Sequence, residues 1–149
     1  MPDRATLTAL LNALIATESR SLFRHLEEAQ PYTDARTFPV WKRIQTLAHD
    51  SDAHVATLSA LLDERELRYQ PGSFSSDVAN FHYADVRALL PELIAEKEQQ
   101  IAAYEQAVQH ADADVAARLE PLLAENRDQL AQLTAAAREL GVSLLRIPR

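Results

Sequence analysis

The chain contains no cysteine. Disulfides, thiolate metal sites, iron–sulfur clusters and thiol nucleophiles are therefore all excluded. Glycine is nearly as scarce, with two in 149 residues, against about 7% in an average protein. Sandwiches, barrels and Rossmann-type domains need many tight turns, and such turns usually need glycine. Basic residues are outnumbered, 15 Lys+Arg against 22 Asp+Glu, for a formal charge of −7. That balance argues against nucleic acid as a partner. No run reaches the roughly 18 apolar residues of a membrane-spanning helix. Met1-Pro2-Asp3-Arg4 lacks the basic and apolar regions of a secretory signal, so the expected location is the cytoplasm. What remains is a 47% hydrophobic chain, long enough to bury the core of one domain.

The hydrophobic pattern predicts four long helices, at about 3–29, 37–66, 83–110 and 112–140. The first carries Leu7, Leu10, Leu11, Leu14, Leu22 and Leu26, with Asp3 as its N-cap and Pro31 beyond its end. The second carries Trp41, Ile44, Leu47, Val55, Leu58, Leu61 and Leu62. Thr37 is its expected cap, and Pro39 sits in its first turn, where a missing N–H costs nothing. The third carries Val86, Leu90, Ile94, Ile101, Tyr104 and Val108, and the fourth Val115, Leu119, Leu122, Leu130, Leu133 and Leu140. Pro91 and Pro121 fall inside this pattern and predict kinks or breaks. Gly141 stops the last helix. Residues 142–149 form a short apolar and basic tail.

The first and third links are short, which makes antiparallel neighbours. The middle link, about 67–82, is long. It holds Pro71, Gly72, Ser73, Ser75 and Ser76, and its aromatics Tyr69, Phe74 and Phe81 would pin it to a bundle surface. The fold class expected is all-α, with two antiparallel hairpins joined by one long crossover.

Each apolar stripe is interrupted near its helix midpoint. In the first helix the break is Glu18. In the second it is Ser51 and His54. In the third it is Lys97 and Glu98, with Lys97 on the strict heptad seam and Glu98 on its flank. In the fourth it is Asn126 and Gln129. Four helices spanning one bundle bring these breaks to one level, where buried polar groups must satisfy each other, water or a ligand.

Over about residues 5–140 the chain resembles the ferritin-like superfamily, the rubrerythrin-type and bacterioferritin-type four-helix bundles. The resemblance is carried by Glu18-Ser-Arg-Ser-Leu22-Phe23, Leu47-Ala-His-Asp-Ser51-Asp-Ala-His54, Glu98-Gln-Gln-Ile101-Ala-Ala-Tyr104 and Glu125-Asn126-Arg-Asp-Gln129-Leu130. Di-metal members carry one Glu on each of two helices and Glu-x-x-His on the other two. By resemblance Glu18, His54 and Glu98 are candidate metal ligands. The remaining three positions hold Ser51, Asn126 and Gln129, which are neutral. Two carboxylates and one histidine are few for two cations. The six residues therefore admit three arrangements: an internal hydrogen-bond network, a mononuclear site at Glu18, His54 and Glu98, or a di-metal site helped by Asp50, Glu125 or Asp128. The residues themselves call for no cofactor. The resemblance implies iron or manganese if a metal binds, with oxygen or peroxide as co-substrate.

The remaining candidates point elsewhere. His25 and His110 sit near helix C-termini, where a cation suits the dipole. His49 points about 140° from His54 on a helix, so the two do not share a metal. His82 has no partner in the pattern. Asp50 and His54 are spaced to pair on one exposed face. Tyr104 reads as a core tyrosine needing a polar partner. Trp41 packs on the crossover or on a subunit contact. The only methionine is Met1, which excludes a bis-methionine haem and leaves His54 as the residue for any haem. The tail, through Ser143-Leu144-Leu145-Arg146, is similar to the short peptides that dock some ferritin-like proteins into encapsulin shells, or is a frayed end. Two functions follow: a bundle without a working di-iron centre that acts by interaction or assembly, or an iron- or manganese-dependent oxidoreductase or iron-handling protein. A homodimer is the expected assembly by resemblance.

Overall fold

A computed structural model describes residues 3–19, 21, 31–70 and 85–144. These form four helices: α1 (Arg4–Ser19), α2 (Phe38–Glu64), α3 (Val86–His110) and α4 (Ala113–Glu139). Among the described residues there is no strand, only an isolated bridge between Tyr32 and Asp85. No helix among them is long and apolar enough to cross a membrane.

The helix ends show how local chemistry sets the boundaries. The Asp3 carboxylate accepts the Thr6 N–H at 2.7 Å. Asp85 and Asp112 cap α3 and α4 in the same way, from the N–H groups of Arg87 and Val115. Thr37, expected to cap α2, makes no side-chain cap bond. Asp34 does that work one turn earlier. Its carboxylate accepts the Thr37 N–H at 2.9 Å, and the Thr37 hydroxyl accepts the Asp34 N–H at 2.8 Å. The exchange is a reciprocal capping box. At the far end of α4, Gly141 takes φ +69°. Its N–H bonds the Arg138 carbonyl at 3.1 Å, and the Val142 N–H bonds that of Ala137 at 2.8 Å, a Schellman stop. The end of α2 has the same two bonds, but there Glu66 takes the left-handed position at φ 54°.

One expectation is narrowed in the helices and one is corrected. α3 and α4 run through Pro91 and Pro121 without a break. Each proline removes one intrahelical bond, and the buried neighbours Leu90, Leu93, Leu122 and Leu123 hold the turn in place. Ser21 lies in a bend, not in a helix continuing towards 29. Just before it the hydroxyls of Thr17 and Ser19 bond back to the carbonyls of Leu14 and Ile15, the local competition that weakens helices. Leu22, Phe23, Arg24, His25, Leu26 and the end of the first predicted helix lie outside the described residues. So do Pro71, Gly72, Phe74, Phe81, His82, Tyr83 and the tail from Leu145.

The apolar core is divided in two. One cluster packs Val40, Trp41, Ile44 and Leu47 of α2 against Val86, Leu89, Leu90 and Leu93 of α3 and Leu133, Ala136 and Ala137 of α4. Trp41 therefore belongs to the core. The other packs Leu7, Leu11, Leu14 and Ile15 of α1 against Leu58, Leu61 and Leu62, Ile101 and Ala107, and Val115, Leu119 and Leu122. Each fully buried leucine is worth about 1.5–3 kcal/mol, so packing, not propensity, holds the helices.

Polar ties fix which ends meet. Arg65, after α2, bonds both Asp112 oxygens at the start of α4 at 3.0 Å. Arg4, at the start of α1, donates to the Arg65 carbonyl at 3.3 Å. Arg87, at the start of α3, pairs with Asp34 before α2 at 3.0 Å. Thus α2 ends at one end of the molecule and α3 begins at the other. The chain leaving α2 is stapled by Asn12, whose amide donates to the Arg68 carbonyl at 2.9 Å and accepts the Gln70 N–H at 2.7 Å. Tyr69, expected to pin this segment, is exposed.

Candidate functional site: a polar layer between two apolar clusters

Between the two clusters lies a layer to which all four helices contribute. Glu18 from α1 is fully buried. One carboxylate oxygen accepts the Tyr104 hydroxyl at 3.2 Å and the Asn126 amide at 3.3 Å. The other meets His54 Nδ1 at 3.1 Å. The second ring nitrogen, Nε2, bonds the Glu125 carboxylate. An imidazole donates from both nitrogens only when protonated. Burial opposes that charge, but Glu18 first and Glu125 second outweigh it and raise the His54 pKa above its ordinary 6.5. Tyr104 is pushed up by burial and by the Glu18 carboxylate, so its hydroxyl stays a donor.

Lys97 supplies a second internal cation. It is 2% exposed. Its ammonium donates to Gln100 Oε1 at 2.6 Å, to Asn126 Oδ1 at 2.8 Å and to Gln129 Oε1 at 2.8 Å. Burial lowers its pKa to about 8, with Glu18, Glu96 and Asp50 acting in the opposite sense. Asn126 joins the halves of the layer, because its oxygen faces Lys97 and its nitrogen faces Glu18. The Gln129 amide nitrogen reaches Asp50 at 3.4 Å, and that of Gln100 reaches the Thr17 hydroxyl at 3.5 Å. Ser51 is buried on the His54 side of α2.

Glu18, Ser51, His54, Asn126 and Gln129 are thus buried at one level, and Glu98 is not with them. Glu98 is exposed. Successive helix positions differ by about 100°, so with Lys97 on the seam, Glu98 is turned off it. Asp50 does not form the expected exposed pair with His54. His54 is buried and bonds the two glutamates instead. Glu125, seen in the sequence only as an off-face helper, reaches His54. Gln100 is buried as well, and the sequence pattern does not single it out, since glutamine is common on solvated helix faces. His49 and His110 are exposed.

These residues do not fit a pair of metal ions. The three lone-pair partners of Glu18 are all donors, both His54 nitrogens are engaged by carboxylates, and the Asn126 and Gln129 oxygens face an ammonium. Among the described residues no group of three or more His, Cys, Asp or Glu is placed to hold a metal ion.

An open groove of about 500 Å³ lies over the layer, between Asp50 and Ala53 of α2 and Ala124, Glu125, Asp128 and Gln132 of α4. The small side chains of Ala53 and Ala124 leave this seam unfilled. Glu125 lines the groove and also bonds His54, so the layer communicates with solvent there. No family model, curated protein or solved structure matches the chain.

Proposed function

We propose that the chain is a ferritin-like bundle, two antiparallel hairpins joined by a crossover, that lacks a working di-iron centre and acts by interaction or assembly. The observation that carries this is the Lys97 ammonium, bonded at 2.8 Å to both Asn126 and Gln129. Two positions that the resemblance assigns to metal ligands are engaged by a cation of the protein itself. A nearby divalent ion would be repelled by Lys97 and by protonated His54, and would have to strip Glu18 of its donors. The meeting of α2's end with α4's start, and of α3's start with α2's start, supports the crossover connectivity. A partner seated in the α2–α4 groove would touch the layer through Glu125. Assembly as a cytoplasmic homodimer belongs to the same proposal, and sedimentation measures its stoichiometry.

Metal analysis tests the central point. Protein purified without chelator, then titrated with Mn²⁺ and anaerobic Fe²⁺, is expected to bind well under one equivalent per chain. Two equivalents, lost in Glu18→Ala and His54→Ala, would restore the metal-dependent oxidoreductase in its place.

A further inference from the structure

We propose that the amide oxygens of Gln100, Asn126 and Gln129 form a cage for a primary ammonium ion, which Lys97 fills from within the chain. The inference rests on the metal-free layer proposed above and names the cation that occupies it. An ammonium has three N–H donors and no acceptor. The cage offers three oxygens at 2.6, 2.8 and 2.8 Å, which are hydrogen-bond distances. Mg²⁺ ligands sit at about 2.0–2.1 Å and Ca²⁺ ligands at about 2.3–2.6 Å, and both ions favour carboxylates. All three cage oxygens are neutral, so they suit a monovalent ion. The geometry is also oriented from outside. Asn126 presents its oxygen because its nitrogen is held by Glu18 and by the Leu122 carbonyl. Gln129 and Gln100 are held by Asp50 and Thr17. Each cage amide therefore has its nitrogen tied to an acceptor, and its oxygen is left turned towards the cation. Lys97 is 2% exposed, so the ion is shielded from solvent.

Lys97→Ala tests this. Alanine keeps Cβ, and n-propylammonium replaces the three carbons and the nitrogen that are lost. The variant is expected to melt on the order of 10 °C lower than the wild type. Propylammonium should restore most of that loss along a saturable curve and leave wild-type Tm unchanged. Tetramethylammonium, which has no N–H, should restore none. If the variant does not fold alone, refolding with propylammonium should recover cooperative unfolding by circular dichroism. Absence of rescue, or equal rescue by tetramethylammonium, overturns the cage. Metal content of the wild type is scored separately: two bound equivalents would sink the metal-free layer whatever the alkylammonium result.

Discussion

At His54 burial works against the charged ring, and Glu18 and then Glu125 keep the proton on. At Lys97 burial prevails and brings the pKa to about 8. The two residues therefore tilt stability in opposite directions with pH. His54 has a raised folded value, so its contribution is complete below the ordinary 6.5 and is lost as pH rises through the folded value. Lys97 has a depressed folded value, so between about 8 and 10.5 the unfolded chain binds more protons and stability rises with pH. The charge on Lys97 costs on the order of 3 kcal/mol near neutrality, and that cost is relieved across the alkaline window. Chemical denaturation from pH 6 to 10.5 should show a His54-dependent decline that sets in above 6.5 and a Lys97-dependent rise between about 8 and 10.5. Lys97→Met should abolish the rise, and His54→Gln the decline. A profile that falls through pH 8–10.5 as steeply in the wild type as in Lys97→Met would show that Lys97 is not buried as a cation.

The helices stop by the same hydrogen bonds at two places but with different residues. Gly141 adopts φ +69° with no atom within 4 Å of the position a Cβ would take. Glu66 adopts φ 54° with a full side chain. A left-handed residue other than glycine costs about 1 kcal/mol or more. Glu66→Gly should therefore stabilise the protein by about 0.5–1 kcal/mol, and Gly141→Ala should destabilise it by about 1 kcal/mol, both read from urea midpoints. No gain for Glu66→Gly would mean that its side chain offsets the backbone strain. The four helices and the Asp3 and Gly141 signals are legible in the sequence because each depends on neighbours within one turn. The Asp34–Thr37 box is ambiguous there, since either residue alone reads as a cap. The level of the polar layer is legible too, because the stripes of α2, α3 and α4 break near their midpoints, although Glu18 stands one residue from the end of α1 and not at the middle of a helix reaching 29. The place of Lys97 on the heptad seam, with Glu98 on its flank, is legible as well. Its partners are not, since only the packing of α3 against α4 brings Asn126 and Gln129 to it. Nor is Asn12 legible as a staple, since its partners Arg68 and Gln70 are more than fifty positions away.

At the scale of the whole molecule, the layer is the junction between two apolar clusters, and its members are coupled. Glu18 is hydrogen-bonded to His54 and Tyr104, Lys97 to the amides, and Asn126 to both. Removing one member leaves its partners buried and uncompensated, whereas removing all leaves an apolar seam. Buried ionic sets behave in this non-additive way: breaking one costs about 3–5 kcal/mol, and replacing the whole set is often neutral or stabilising. His54→Leu alone should therefore cost about 3 kcal/mol, because the buried Glu18 carboxylate loses its charged donor. The combined variant Glu18→Leu, His54→Leu, Lys97→Met, Gln100→Leu, Tyr104→Phe, Asn126→Leu and Gln129→Leu should lose far less than the sum of its single variants. Glu125, with a side chain 61% exposed, can turn to solvent in that variant and adds no penalty. Urea unfolding of the singles and of the combination measures the coupling directly. If the costs simply add, the layer is a set of independent contacts. If they cancel, one electrostatic unit replaces what would otherwise be a continuous core, and the polar layer is kept for the site it forms beneath the α2–α4 groove and not for stability.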